Sequence, residues 1–254
     1  MRIRFPRLGR LRDSDFCMVF NWKDERAKGR CCMLASAVLS TLVTDLTAGT
    51  LYTAFLTVND FSIVDAGVIM FLPLIATCFS IFSPMILERF RRRRWVLAGG
   101  RLAYYVINIL GLTLLPYIVR DQQTKLFCFG AIVFAASLVN SLFTSGYSVW
   151  HLNFIPNQVR ARYLSYQQLI TALLSGVALI GSGIAADALR GSPNEALVLT
   201  ILRLAGFGLA ATDVFMLVLP REYDYPHGES RIRLVNVFRL PLKNPKFIRT
   251  MALI

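Results

Sequence analysis

The chain has 254 residues, of which 55% are hydrophobic and 17% are charged, and its mean hydropathy is +0.52. This apolar content exceeds the ordinary range of soluble globular domains. The net charge of +13 would suit a nucleic-acid-binding protein, but the basic residues lie in the gaps between long apolar runs. We therefore predict an all-α polytopic membrane protein whose partner is the lipid bilayer and not nucleic acid.

The chain begins with a basic segment, residues 1–33, that contains no long apolar run. Its basic region is too long for a cleavable signal peptide, so we predict a retained cytoplasmic N-terminal segment. Six apolar runs follow, and each is long enough to cross a hydrocarbon layer of about 30 Å. We predict a six-helix transmembrane bundle over residues 34–219, with spans 1 to 6 at residues 34–56, 66–87, 95–119, 126–149, 163–186 and 197–219.

The loop between spans 2 and 3, residues 88–94, contains five arginines. Short loops rich in Lys and Arg stay on the cytoplasmic side of a membrane. When this loop is placed inside, 23 of the 28 Lys and Arg residues lie in cytoplasmic segments and only three lie in outside loops. We therefore expect a multi-pass protein of the cell membrane, with both ends of the six-span unit in the cytoplasm.

The residues after span 6 are again basic. We predict a cytoplasmic loop over residues 220–250, in which basic and apolar residues alternate between Arg231 and Leu242 as in an amphipathic surface helix. Residues 251–254 begin a further apolar run, which we interpret as the start of a seventh span. The chain is then either a fragment of a twelve-span protein or a half-size protein.

Span 1 contains a carboxylate, Asp45, near its middle. A charged side chain at the bilayer centre costs at least about 2.5 kcal/mol, so it must face a cavity, form a pair or be protonated. Thr41, Asp45, Gly49 and Tyr52 have the spacing of one helix face. We predict that this face lines a substrate pathway and that Asp45 couples transport to protons.

Span 4 has a polar stripe with helical periodicity, formed by Ser137, Asn140, Ser141, Thr144, Ser145 and Ser148. We assign Asn140, Ser141 and Thr144 to the same pathway, together with Gln168 of span 5. The alternative is that these small and hydroxyl side chains serve helix packing.

Two opposite charges lie at similar depths in spans 3 and 6. Arg101 and Asp213 are each six or seven residues from the cytoplasmic end of their span, which predicts a structural ion pair. Asp45 is the competing partner for Arg101. We expect a third intramembrane charge, Arg203, to lie near the outer surface and to extend its side chain toward the headgroups.

The stretch from residue 84 to residue 93 resembles the loop between helices 2 and 3 of the major facilitator superfamily, whose pattern is G-x-x-x-D-R-x-G-R-R. Arg89, Arg92 and Arg93 match this pattern, Glu88 replaces the aspartate, and Pro84 and Arg91 replace the two glycines. The resemblance covers essentially the whole chain as the N-terminal half of a twelve-span transporter.

Membership of this family would imply a bundle of two inverted three-helix repeats that rocks around a site at the membrane midplane. The second bundle would be a C-terminal six-helix half or a second copy of the chain. Helices 1 and 4 line the cavity in such proteins. The resemblance also implies a conformational motif formed by Glu88, Arg89, Arg92 and Arg93, in which Glu88 would contact a helix of the C-terminal bundle and stabilise the outward-facing state.

We therefore expect a secondary active transporter that moves a small solute by alternating access, with proton coupling through Asp45. The alternatives are a non-transporting six-span scaffold or receptor, and a membrane-embedded enzyme. The enzyme is disfavoured because the two histidines, His151 and His227, lie outside any catalytic motif. We predict no catalytic residues, no metal site and no cofactor.

Overall fold

The computed structural model describes residues 25–88, 90, 93–157, 159–188, 191 and 194–220. Several predictions fall outside these residues: the segment before residue 25, the side chain of Glu88, Arg89 and Arg92, the surface helix at 231–242 and the start of a seventh span at 251–254. Arg93 is described and begins a helix.

Six helical segments are long and apolar enough to cross a membrane. Span 1 consists of α1 (Glu25–Thr47) and α2 (Gly49–Val58), and span 2 of α3 (Ile63–Thr77), a 3₁₀ segment (Cys78–Phe82) and α4 (Ser83–Glu88). Span 3 comprises α5 (Arg93–Tyr105), a π-helical segment (Val106–Gly111) and α6 (Leu112–Ile118). Spans 4, 5 and 6 are the single helices α7 (Gln122–Asn153), α8 (Arg160–Asp187) and α9 (Glu195–Val218). The predicted class, an all-α polytopic membrane protein, is therefore confirmed.

Local capping residues explain where two of these helices begin. Ser62 caps α3 in a capping box, in which its side chain and that of Asp65 each accept a bond from the other's backbone N–H. Asp121 caps α7, and its carboxylate accepts hydrogen bonds from the Thr124 hydroxyl and backbone N–H, which lower the pKa of Asp121. Span 4 consequently begins at Gln122, four residues before the start at residue 126 that the sequence indicated.

The closest packing between spans has a regular pattern. Span 1 packs most extensively against spans 6 and 5, span 4 packs in the same way against spans 3 and 2, and spans 3 and 6 also pack against each other. This set of pairs is unchanged when spans 1, 2 and 3 are exchanged for spans 4, 5 and 6. Successive spans run in opposite directions, so the exchange relates three-helix units of inverted orientation.

Glycines allow close approach between helices of the bundle. A Cβ atom on Gly146 of span 4 would lie 2.6 Å from the side chains of both Leu87 and Leu97. A Cβ atom on Gly206 of span 6 would lie 2.9 Å from the Thr47 side chain of span 1. Small residues permit such approach in membranes, where helix association depends on packing and polar contacts rather than on exclusion of water.

The outer surface of the bundle is strongly apolar. Span 2 exposes Ile63 and Phe71, and span 5 exposes Leu173, Val177 and Ile184. Apolar exposure on this scale is unusual for a soluble monomer and is what a bilayer-embedded surface requires.

Candidate functional site

A cleft of about 350 Å³ opens between spans 1, 2, 3 and 4. Its lining residues lie close to the midpoints of spans 2, 3 and 4 and in the second half of span 1. Its lining combines an apolar wall with hydroxyl and amide groups: Thr47, Ala48, Gly49, Tyr52, Ile69, Met70, Pro73, Thr77, Tyr104, Asn108, Val133, Ser137, Asn140, Ser141 and Thr144. A concave, mostly apolar site with a few convergent polar groups is the usual form of a small-molecule site.

The cleft brings together five of the predicted pathway residues and leaves out three. Gly49, Tyr52, Asn140, Ser141 and Thr144 line it, whereas Thr41, Asp45 and Gln168 do not. Thr41 donates its hydroxyl hydrogen bond to its own helix, and Gln168 is exposed on span 5.

The side chain of Asp45 is hydrogen-bonded to span 5. The hydroxyl of Ser175 in span 5 donates a hydrogen bond of 2.6 Å to Oδ2 of Asp45. Asp45 and Tyr52 therefore do not share one continuous face, as their spacing predicted for a straight helix. The reason is a break in span 1, at which Ala48 is extended and Gly49 has a φ of +62°, a left-handed conformation that favours glycine.

The polar stripe of span 4 divides into two functional parts. Ser141 donates a 2.8 Å hydrogen bond to the Ala76 carbonyl, and Ser145 shares a hydrogen bond with Ser83, so both hydroxyls join span 4 to span 2. Among the described residues, Ser137 and Asn140 have no side-chain hydrogen bond. Helix packing accounts for the first pair, and the second pair leaves polar groups available to a solute in the cleft.

The backbone beside the cleft is irregular in three of the four spans that line it. The break at Ala48 and Gly49 interrupts span 1, and the π-helical segment of span 3 contains Asn108. In span 2, Pro73 lacks the N–H that would bond the carbonyl of Ile69, and a 3₁₀ segment begins directly after Thr77. Irregular backbone at membrane depth is tolerated where it is buried in protein or lines a cavity.

Arg203 of span 6 packs against Tyr52, one of the residues that line the cleft. Its guanidinium donates hydrogen bonds to the Thr113 hydroxyl (3.0 Å) and to the backbone carbonyls of Thr47 and Asn108 (3.2 Å each). These carbonyls belong to the break in span 1 and to the π-helical segment of span 3. One cation thus satisfies backbone groups at two helix irregularities.

The position of Arg203 corrects the sequence prediction. Its side chain does not extend toward the headgroups, because Arg203 is only 2% exposed. Its guanidinium carbon lies 5.4 Å from the ring centroid of Tyr52 and 4.6 Å from that of Phe55. Bonding to spans 1 and 3 and stacking on two rings replace the hydration that a surface position would have supplied.

Arg101 and Asp213 form the ion pair that the sequence indicated, with Nε of Arg101 2.9 Å from Oδ2 of Asp213. The Tyr105 hydroxyl donates to the same oxygen, and the Ser36 hydroxyl donates to Oδ1. Asp213 is fully buried, and Asp45 is not part of this network. The guanidinium of Arg101 also lies 4.9 Å from the ring of Tyr147, so the network joins spans 1, 3, 4 and 6.

A second cavity of about 440 Å³ lies beside this ion pair, toward the end of the bundle that carries the loop 88–94. Arg101, Tyr147, His151 and Gln167 are among its lining residues. The sequence does not indicate this cavity, because its polar groups come from different spans and form no pattern along the chain. Tyr104 and Asn108 of the cleft could not be predicted for the same reason.

Within the described ranges, no group of three His, Cys, Asp or Glu side chains could hold a metal ion. The fold and the cleft define a polytopic membrane protein with a solute-sized polar site at mid-bundle. Comparison of the sequence with protein-family models and with curated proteins, and of the structure with solved structures, found no match.

Proposed function

We propose that this protein is a secondary active transporter that moves a small solute across the membrane by alternating access. The observation that carries the proposal is the polar cleft near the middle of the bundle, lined by three spans with irregular backbone. Discontinuous helices near the bilayer midplane are typical of the binding sites of secondary transporters, where they supply backbone groups to the solute and the coupling ion.

We further propose that the chain is a six-helix bundle of the major facilitator type, built from two inverted three-helix repeats. Support comes from the resemblance of residues 84–93 and from the pattern of span packing, which is unchanged when each span of one repeat is exchanged for its counterpart. The exposed apolar faces of spans 2 and 5 suit contact with a second bundle, which would be a C-terminal half or a second copy.

Proton coupling through Asp45 belongs to the same proposal. The hydrogen bond from Ser175 makes Asp45 a tie between spans 1 and 5. Protonation would remove the negative charge that this bond stabilises, and would therefore weaken the tie between the two spans. The positive-inside distribution of Lys and Arg supports a cell-membrane protein with both ends of the six-span unit in the cytoplasm.

Thiol accessibility tests the alternating exposure of the cleft. Ser137→Cys would be placed in a background from which the five native cysteines have been removed. The full-length protein would then be treated with a membrane-impermeant thiol reagent in right-side-out and in inside-out vesicles. We expect modification from both sides, because an alternating cleft opens to each side in turn.

The matched control is Ser182→Cys, since Ser182 is buried in span 5, does not line the cleft and donates to the carbonyl of Leu179. It should remain unmodified in both vesicle types. Modification of position 137 from one side only, or from neither, would contradict alternating access and would favour a scaffold or receptor.

A further inference from the structure

We propose that the cleft binds a small organic anion, whose charged group accepts a hydrogen bond from the Tyr52 hydroxyl. The inference rests on the proposed role of the cleft as a solute site and adds the chemical class of the solute. Three observations carry it: an unpartnered hydroxyl, a buried cation behind it, and the absence of acidic groups from the lining.

Tyr52 is 8% exposed and lines the cleft, and its Oη has no hydrogen-bond partner among the described residues. A buried hydroxyl left without a partner costs about 1–3 kcal/mol. Buried polar groups are paired in the great majority of structures, so an unpaired one in the wall of a cavity is a group that a bound solute can pair. The Tyr52 oxygen is buried in this conformation, and a small shift of the ring would present its O–H to an acceptor in the cleft.

The positive charge of Arg203, which packs against the Tyr52 ring, favours an anionic acceptor. Arg203 forms no ion pair with any carboxylate among the described residues, and all three acceptors of its guanidinium are neutral oxygens. Arginine remains protonated inside proteins. An uncompensated positive charge is therefore buried 5.4 Å from the centre of the Tyr52 ring. Stacking over the cation withdraws electron density from the ring and makes its O–H a stronger donor to an anion.

No charged group in the lining of the cleft offsets this one, because none of the lining residues is acidic or basic. Asp213 is neutralised by Arg101, whereas Asp45 is bonded to the neutral hydroxyl of Ser175 in span 5 and lies outside the cleft lining. The guanidinium of Arg203 packs against the Tyr52 ring, and in a cavity of low dielectric its positive charge favours an anion at the Tyr52 hydroxyl.

The remaining lining residues define the rest of the ligand. Asn140 adds amide N–H donors that have no partner among the described side chains, whereas Ile69, Met70 and Val133 form an apolar wall. A volume of about 350 Å³ is at the small end of ligand pockets, which range from ~300 to ~1,000 Å³. The fitting solute is small, with one anionic group and an apolar body.

Three probes of nearly identical shape test the charge preference. Benzoate, benzamide and benzamidine carry charges of −1, 0 and +1 on the same ring. Their affinities would be measured by equilibrium dialysis with the full-length protein in lipid nanodiscs. We expect benzoate to bind at least about tenfold more tightly than benzamide, and benzamidine to bind most weakly. Equal affinities, a preference for benzamidine, or no binding of any probe would overturn the inference.

Tyr52→Phe removes only the unpartnered hydroxyl and should preserve the fold. It should weaken benzoate binding about tenfold and benzamide binding less, because hydrogen bonds to charged acceptors are the stronger ones. Tyr117→Phe is the matched control, since Tyr117 is 68% exposed at the end of span 3 and is absent from the cleft. Unchanged benzoate binding by Tyr52→Phe would also overturn the inference.

The proposal of alternating access and the proposal of an anion site can be refuted independently of each other. If position 137 is accessible from both sides but benzamidine binds best, transport stands and the anionic class is wrong. If benzoate is preferred but position 137 is accessible from one side only, the anion site stands and alternating access is wrong.

Discussion

Replacement of Arg203 by methionine should strongly destabilise the bundle. The guanidinium donates three hydrogen bonds to spans 1 and 3, and each charged bond contributes about 1.5–3 kcal/mol. Against this gross gain of roughly 5–9 kcal/mol stands the cost of an arginine within the membrane, about 2.5–3.5 kcal/mol. We therefore expect Arg203→Met to lower the free energy of unfolding by about 1.5–6.5 kcal/mol.

The assay is thermal unfolding of the full-length protein in one fixed detergent, followed by intrinsic fluorescence. A loss of 1 kcal/mol lowers Tm by about 2–4 °C for a domain of this size, so the Tm of Arg203→Met should be lower by roughly 3–26 °C. Arg203→Lys should fall between the two proteins, because an ammonium group keeps the charge but cannot span acceptors on two helices as a planar guanidinium does.

The matched control is Arg120→Met, which removes the same charge from an exposed position between spans 3 and 4 and should change stability by no more than about 0.5 kcal/mol. The reasoning would be refuted if Arg203→Met unfolded at the temperature of Arg120→Met, since the bonds to the irregular backbone would then contribute nothing. Full stability of Arg203→Lys would show that charge alone matters.

Three further predictions concern other parts of the bundle. Gly146→Ala should cost about 1–3 kcal/mol, because the added carbon would lie 2.6 Å from two leucine side chains, whereas Gly99→Ala, with nothing within 4 Å, should be neutral in the same unfolding assay. Asp213→Asn should cost about 3–5 kcal/mol, because it leaves a buried arginine without its counter-charge; exchange of the charges of Arg101 and Asp213 should recover part of the loss, and a double variant as unstable as either single variant would contradict the pairing. Asp45→Asn should remove the pH dependence of solute uptake while the protein remains folded, since the amide oxygen can still accept from Ser175; unchanged pH-dependent uptake would exclude Asp45 as the coupling group.

The six apolar helices could be predicted from the sequence because a membrane imposes a simple rule. A segment that crosses the hydrocarbon must be apolar over about 20 residues, so hydropathy locates it without knowledge of its neighbours. The stripe of span 4 was also readable, because α7 continues unbroken from Gln122 to Asn153 and helical spacing holds along it. The Arg101–Asp213 pair could be predicted because the position of each residue within its span gives its depth in the membrane, and the two depths are similar.

The missed features depend on neighbours that hydropathy does not reveal. Gly49 lies in an apolar run that is compatible with a continuous helix, so the break that separates Asp45 from Tyr52 left no distinctive signal. The π-helical segment around Asn108 was equally hidden. The prediction for Arg203 was wrong because chain position gives the depth of the residue but does not reveal the irregular backbone segments of spans 1 and 3 to which it is hydrogen-bonded. An arginine eight residues inside an apolar run, with asparagine at a similar depth in another span, is the signal that could have indicated it.

The two charges of span 6 have a consequence for the biogenesis of the protein. Arg203 and Asp213 find their partners on spans 1 and 3, so a nascent span 6 enters the membrane with both charges unpaired. Each charge at the centre of a helix opposes insertion by about 2.5–3.5 kcal/mol, which several Leu, Ile, Phe or Val residues are needed to offset. Spans 1 and 3 must therefore still be near the translocon when span 6 emerges. A defect in the span 1 break would then be detected first as failed insertion of a helix more than 140 residues further along the chain.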